Sequence, residues 1–359
     1  AFDAWLLVPR MLRDVGERDL SIELFGRRHP TPLLAAPIGV LELVDPDADL
    51  AIARAAGSLG ITSIVSSQAS QPMETIAADK AGPWWFQLYW SSEDALVESF
   101  VHRAEAAGAE AIVVTLDTAM LGWRPRDLDR AFLPFIRGMG IAQYTSDPVF
   151  RELVKARMAR PSHGPRPRVT PSAVRTLVEM TRRHPGRFRE NLRSGEPRAA
   201  VETFLDVFSR PTLTWDDLPF LRERTRLPIV LKGIQHPDDA RKAVDAGVDA
   251  VMVSTHGGRQ VDGAVGSLDA LPGVVQAVDG RIPVLLDSGV RGGADVVRAL
   301  ALGATAVGVG RAWVYGLAIN GEDGARQVLR DIVAETDLVL GLSGHRTIAE
   351  LGPDDVVRL

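Results

Sequence analysis

His256 and Arg259 stand three residues apart in Val-Ser-Thr-His-Gly-Gly-Arg-Gln-Val-Asp-Gly, positions 253–263. Histidine titrates near neutrality and accepts a proton, while arginine grips a carboxylate through two parallel hydrogen bonds. Gly257 and Gly258 make this a pliable turn, so both side chains can address one small ligand. The pairing points to an acid with an oxidisable or enolisable centre. A further cation, Lys232, ends the apolar run Ile-Val-Leu-Lys. An unpaired ammonium is costly to bury, so Lys232 reads as a paired or functional charge in a lined mouth. Phe-Gln-Leu-Tyr-Trp offers Gln87 and Tyr89, with Phe86 and Leu88 assigned to the core; Val-Thr-Leu-Asp-Thr offers Thr115 and Asp117. Asp117 is suited to orient His256 and support its charged form. The plainer alternative is that these groups cap helices or complete loops.

Near the end of the chain, Leu-Leu-Asp-Ser-Gly-Val-Arg-Gly-Gly and Gly-Val-Gly-Arg carry Gly289, Arg291, Gly292, Gly310 and Arg311. In α/β barrels, the loops after the last two strands often hold phosphate with backbone amides, helix N-termini and arginines. No Gly-x-x-x-x-Gly-Lys-Ser/Thr motif is present, which argues against a P-loop nucleotide triphosphatase.

These residues need elements to bring them together. Short apolar runs that do not alternate, at 33–36, 61–65, 85–88, 111–115, 229–231, 250–253, 284–286 and 306–309, predict strands buried on both faces. Helical spacing covers 47–59, 93–107, 238–246 and 294–302, with Gly60, Gly108, Gly247 and Gly303 as C-caps. Helix, glycine, strand recurs, as in Ala-Val-Asp-Ala-Gly-Val-Asp-Ala-Val-Met-Val. The pattern predicts a TIM (β/α)₈ barrel in one domain, 1–359, with a doubly wound sheet as the alternative. Residues 118–228, after the fourth strand, are too long for a structureless loop. They predict short helices that cover the mouth or meet another subunit.

The 359 residues include no cysteine, which excludes disulfides, thiolate chemistry and cysteine-held metal; no metal site is expected. A net charge of −5 without a basic stripe argues against a nucleic-acid partner. The local patch of Arg157, Arg160, Arg166 and Arg168 reads as a solvated loop. No apolar run suits a bilayer and no secretory start is present, so the expectation is no membrane and a cytoplasmic location. The missing initiator methionine implies that the displayed chain begins inside a longer sequence.

Taken in order, Ala-Ala-Pro-Ile-Gly (35–39), Phe-Gln-Leu-Tyr (86–89), Thr-Leu-Asp-Thr (115–118), Leu-Lys-Gly-Ile-Gln-His-Pro (231–237), His-Gly-Gly-Arg-Gln (256–260), Asp-Ser-Gly-Val-Arg-Gly-Gly (287–293) and Gly-Val-Gly-Arg (308–311) form one constellation. From about Pro9 onward the chain resembles the FMN-dependent 2-hydroxy-acid oxidase and dehydrogenase family. Pro-Arg-Met-Leu, Glu-Arg-Asp-Leu-Ser and Gly-Trp-Arg-Pro-Arg-Asp-Leu-Asp bring it nearest the lactate 2-monooxygenase branch.

The resemblance implies FMN at the barrel's C-terminal mouth and a small L-2-hydroxy acid and O₂ as reactants. His256 is then the base, Arg124 and Arg259 clamp the carboxylate, Tyr89 bonds near the reacting oxygen, and Asp117 pairs with His256. Pro37, Ile38 and Gly39 line the flavin ring, Ser66, Gln87 and Thr115 address its polar edges, and Lys232 faces N1 and O2 beside Ser254. Asp287, Gly289, Arg291, Gly310 and Arg311 fall at the ribityl-phosphate end. The implied outcome is lactate to acetate, CO₂ and water; release of a 2-oxo acid with H₂O₂, or transfer to another acceptor, is the alternative. A homotetramer or homo-octamer is also implied. Relatives carry a further active-site tyrosine ahead of the position of Ala1. Gln68 stands where relatives have residues including tryptophan or leucine, and Gly39 where several oxidases have alanine, leaving pocket size open. Phe135 or Tyr144 is expected either to close the pocket or to pack.

Overall fold

The computed structural model describes residues 1–160 and 169–359; Arg166 and Arg168 of the basic patch lie outside the described residues. Eight parallel strands form a closed barrel: β1 Leu33–Ala35, β2 Thr62–Ser66, β3 Trp84–Tyr89, β4 Ile112–Thr115, β5 Ile229–Ile234, β6 Ala250–Val253, β7 Val284–Leu286 and β8 Ala306–Val309. The TIM-barrel expectation holds and the doubly wound sheet is excluded. Because successive side chains point to opposite faces, each strand feeds two cores. Leu34, Ile64, Trp85, Val113, Val230, Met252, Leu285 and Ala306 fill the interior. Their sequence neighbours, such as Val65, Phe86, Val114 and Leu231, face the surrounding helices.

Register places the polar strand ends side by side. Ser66 pairs with Gln87, Tyr89 with Thr115, and Thr115 with Lys232. The opposite end of the barrel is closed by the hairpin of Ile22–Leu24 and Arg27–His29, whose Phe25 ring lies 5.5 Å from Trp85. Open chemistry is left to the C-terminal end.

The four helices read from spacing lie within two residues of Ala48–Gly57, Asp94–Ala106, Pro237–Asp245 and Gly293–Ala301. Three others had no expectation: Met73–Asp79, Ser267–Val278 with Pro272 inside it, and Arg311–Leu342, which kinks at Asn320 and Gly321. Between β4 and β5, helices include Pro148–Ala159, Pro171–Arg183 and Glu196–Val207. This segment docks on the mouth loops: Gly140 N donates to Glu42 Oε1 (3.0 Å), Arg183 donates to Glu42 Oε2 (2.8 Å), and Ala142 N donates to Ala69 O (3.3 Å).

Phe135 and Tyr144 pack in the docking core. The Tyr144 ring packs within 5.5 Å of Phe100, Phe150 and Phe204, and Phe135 lies 4.9 Å from Phe204. Among the described residues, no helix is long and apolar enough to cross a membrane.

Asp49, at the start of the first barrel helix, supports the loop after β2 by accepting from Ser70 N at 2.7 Å. Burial raises its pKa to about 7, with the Glu42 charge acting the same way against the backbone hydrogen bonds. A raised carboxyl pKa means that the folded chain binds the proton more tightly, so stability falls as pH rises from about 4 to 7. Asp49→Asn is expected to remove that slope, worth about 1.4 kcal/mol per pH unit at most. Thermal midpoints of the two proteins at pH 5 and pH 8 check this, with the variant's advantage markedly larger at pH 8 than at pH 5.

Candidate active site

The β6 turn reaches the barrel axis by unusual backbone. His256 adopts φ +53°, and its N–H donates to Ser254 Oγ at 3.0 Å. Its ring is set from the β4 end: Nδ1 lies 2.8 Å from Asp117 Oδ1. With Nδ1–H given to the carboxylate, Nε2 keeps its lone pair for a ligand. Gly233, at φ +110° in the bulge of β5, lets Asp117 come this close; a Cβ there would sit 3.2 Å from Asp117 Cβ.

Burial raises the Asp117 pKa, but the His256 hydrogen bond and the Lys232 and His256 charges outweigh it and hold the carboxyl below its ordinary range. Tyr89 OH stands 3.4 Å from His256 Nε2. Burial, reinforced by the Asp117 charge, drives the phenol pKa well above its ordinary value, so it remains a proton donor.

Arg124 and Arg259 come from different loops and crowd one side of this space. Burial lowers the Arg124 pKa first, and the Arg259 charge lowers it further. Two guanidiniums that raise one another's energy are relieved by an anion between them. Arg259 is exposed, whereas Arg124 is half-buried. Gln260, to which the His-Gly-Gly-Arg-Gln motif alone gives no role, joins their loops. Its Nε2 donates to Asp117 O (2.7 Å) and Met120 O (2.9 Å), and its Oε1 accepts from Arg124 Nη2 (2.7 Å). Only the adjacency of Gln260 to Arg259 could have signalled it.

Across the mouth, Lys232 Nζ donates to Ser254 Oγ (2.9 Å) and lies 3.2 Å from Asp287 Oδ2, with both charges nearly enclosed. One N–H of the ammonium remains for a ligand. Ser66 Oγ donates to Gln87 Oε1 at 2.9 Å, leaving Gln87 Nε2 buried without a partner among the described residues; Thr115 Oγ1 is in the same position. Pro37, Ile38 and Gly39 follow β1. A Cβ on Gly39 would meet Gln68 Cβ at 2.9 Å, so this glycine accommodates the Gln68 side chain.

Gly310 caps the long helix after β8, and a Cβ on it would meet nothing nearer than Ile38 Cδ1 at 3.8 Å. Arg311 donates to Gly257 O at 2.8 Å. Gly289 and Arg291 are at the exposed rim. The helix start at Gly293 is already taken, because Gly293 N donates to Glu335 Oε2 at 2.7 Å; this leaves Gly292 out of the ligand face.

FMN fits this donor set. Unpartnered Gln87 and Thr115 groups and the spare Lys232 proton suit the nitrogen and oxygen edge of a flat ring, while open glycine amides beside Arg311 suit a phosphate.

Fold and site together define a closed (β/α)₈ barrel whose C-terminal mouth gathers a histidine–carboxylate pair, a buried lysine and two arginines. The profile of the FMN-dependent dehydrogenases matches residues 1–358, and the chain belongs to that family; it is an FMN-dependent oxidoreductase. The FMN-dependent alpha-hydroxy acid dehydrogenase qulF of Penicillium citrinum is 41% identical over 360 residues, covering 100% of this chain and 82% of that protein. The L-lactate oxidase of Lysinibacillus sphaericus (strain C3-41) is 42% identical over 352 residues, covering 98% and 81%. A mandelate oxidase variant solved with the C4a-OH-FMN adduct superposes with a TM-score of 0.76 at 34% identity, covering 97% of this chain and 86% of that one.

Proposed function

We propose that the chain oxidises a small L-2-hydroxy acid, L-lactate above all, at the space between His256 Nε2 and the two guanidiniums of Arg124 and Arg259. The observation that carries this reading is the Asp117–His256 pair at 2.8 Å, which leaves a lone pair facing an anion site. FMN-dependent 2-hydroxy-acid oxidation is also what the family and the names of its members support.

The substrate carboxylate docks between Arg124 and Arg259, and the C2 hydroxyl lies against His256 Nε2. His256 takes the hydroxyl proton as C2 is oxidised, and Asp117 stabilises the resulting imidazolium. Tyr89 OH donates to the reacting oxygen. Bound FMN supplies the two-electron acceptor that O₂ then restores. Lys232 would support negative charge on the bound cofactor, and Gln87, Thr115, Ser66, Ser254, Pro37, Ile38 and Gly39 would help hold it. Asp287, Gly289, Arg291, Gly310 and Arg311 hold the ribityl-phosphate end.

In this reading 1–359 is one functional domain, and the described parts of 118–228 cover the mouth, as their bonds to Glu42 and Ala69 favour. Cover favours retention: lactate and O₂ give pyruvate and H₂O₂, and the enclosed pair gives acetate, CO₂ and water. The same site with faster product release is an L-lactate oxidase. A cytoplasmic homotetramer or homo-octamer completes the proposal. With FMN-loaded protein, L-lactate and O₂, acetate is expected in near one-to-one yield with lactate consumed. Stoichiometric pyruvate and peroxide would reassign the chain to the oxidase reading.

A further inference from the structure

Ser288 is a non-glycine residue at φ +76°, a left-handed backbone, immediately after β7. Side chains are rare there and cluster where function fixes the chain. Its hydroxyl donates to Asp287 Oδ1 (2.8 Å) and accepts from Thr255 N (3.2 Å) and Gly257 N (2.9 Å). One proton and two lone pairs are all that a serine hydroxyl has, so every valence is used. The two amides flank His256 in the turn after β6. The carboxylate is the partner of Lys232, since Asp287 Oδ2 lies 3.2 Å from the ammonium. Ser288 O is itself held by Ser267 Oγ at 2.8 Å, which anchors the residue to the helix after β6.

We propose that Ser288 is a positioning residue for the reaction: its hydroxyl ties the His256 turn to the buried Lys232–Asp287 pair. Without it the amides of Thr255 and Gly257 lose their shared acceptor, and the His256 turn is held through the Ser254, Asp117 and Tyr89 contacts alone among the described residues. The imidazole then samples orientations in which Nε2 no longer meets the substrate hydroxyl. Proton acceptance slows, although every group that touches substrate is still present. The same hydroxyl binds the second oxygen of Asp287, so the carboxylate that faces Lys232 also holds its place through Ser288.

The inference rests on the base role of His256, and the test separates the two. FMN-loaded Ser288→Ala and Ser288→Gly are compared with the parent and with His256→Ala. Three readouts are taken well below the thermal midpoint: anaerobic bleaching by L-lactate per bound FMN, KM, and hydrogen–deuterium exchange of the 254–260 peptide without substrate. Both serine variants are expected to bleach roughly 10- to 100-fold more slowly, the range that misplacement of a catalytic group gives. The limiting rate should fall more than KM rises, and exchange at 255 and 257 should accelerate. Glycine adopts φ +76° without strain, so equal loss in both variants assigns the effect to the hydroxyl. Parental bleaching or unchanged exchange in Ser288→Ala overturns the proposal, as does recovery in Ser288→Gly alone, which would leave backbone conformation as the determinant. Parental bleaching in His256→Ala would instead remove the functional reading beneath it.

Discussion

His256→Ala is expected to abolish substrate-driven bleaching of the bound flavin while FMN content stays near parental. A positioned general base contributes about 10²- to 10⁴-fold, and here the loss should lie at the upper end. Tyr89, whose hydroxyl lies 3.4 Å from His256 Nε2, is a phenol that burial keeps protonated and therefore unable to take the proton instead. Cofactor retention follows from geography, since Lys232, Gln87, Thr115 and the Gly310 turn reach the mouth from other strands. Anaerobic bleaching with L-lactate, beside the flavin absorbance of the purified variant, checks both halves. Parental bleaching would show that another group takes the proton.

The second large effect is expected from Lys232→Met, through two separable routes. Removing the ammonium leaves Asp287 buried at 6% exposure, with the Ser288 hydroxyl as its remaining side-chain hydrogen-bond donor among the described residues. Breaking one partner out of a buried pair costs about 3–5 kcal/mol. Loss of a fixed charge from a site of developing negative charge costs about 10²- to 10³-fold in rate. Adding Asp287→Asn should restore much of the thermal midpoint and leave bleaching slow. If the double variant recovered both, the lysine would serve the fold and not the reaction.

Acid should act through the same cluster. The Asp117 pKa is held below the ordinary carboxylate range by His256 and Lys232 against its burial. A lowered folded pKa contributes stability that is present above the unfolded value, about 3.9. That contribution is withdrawn as pH falls through the folded value.

The barrel was legible because strands buried on both faces leave an uninterrupted apolar signature, and the glycine after each helix marks where it must stop. His256, Arg259 and Lys232 were legible as types, since such residues just past apolar strands have few cheap structural uses, whereas Arg124, nine residues beyond β4, was marked only by the family resemblance. Other features depend on contacts between segments far apart in the chain. Nothing near Ser288 announces that its hydroxyl spans to 255 and 257, and nothing near Gln260 announces the carbonyls at 117 and 120. Phe135 and Tyr144 looked available to a pocket because aromatic residues in a long insertion carry no local sign of their partners. Their rings pack against Phe100, Phe150, Phe204 and Phe208. The kink at Asn320 and Gly321 likewise follows from the close backbone approach of Gly316 and Gly324.

Tyr89, Thr115 and Lys232 are rungs of one ladder across β3, β4 and β5. A slip of one rung turns every side chain of a strand to its opposite face. Thr115 would then exchange places with an apolar neighbour while Tyr89 and Lys232 stayed behind. Outside the β5 bulge at Gly233, variation in chain length therefore has no foothold among these paired residues and must be spent in the connections above them. Diversification of this enzyme can rework its rim freely while its floor plan stays indivisible.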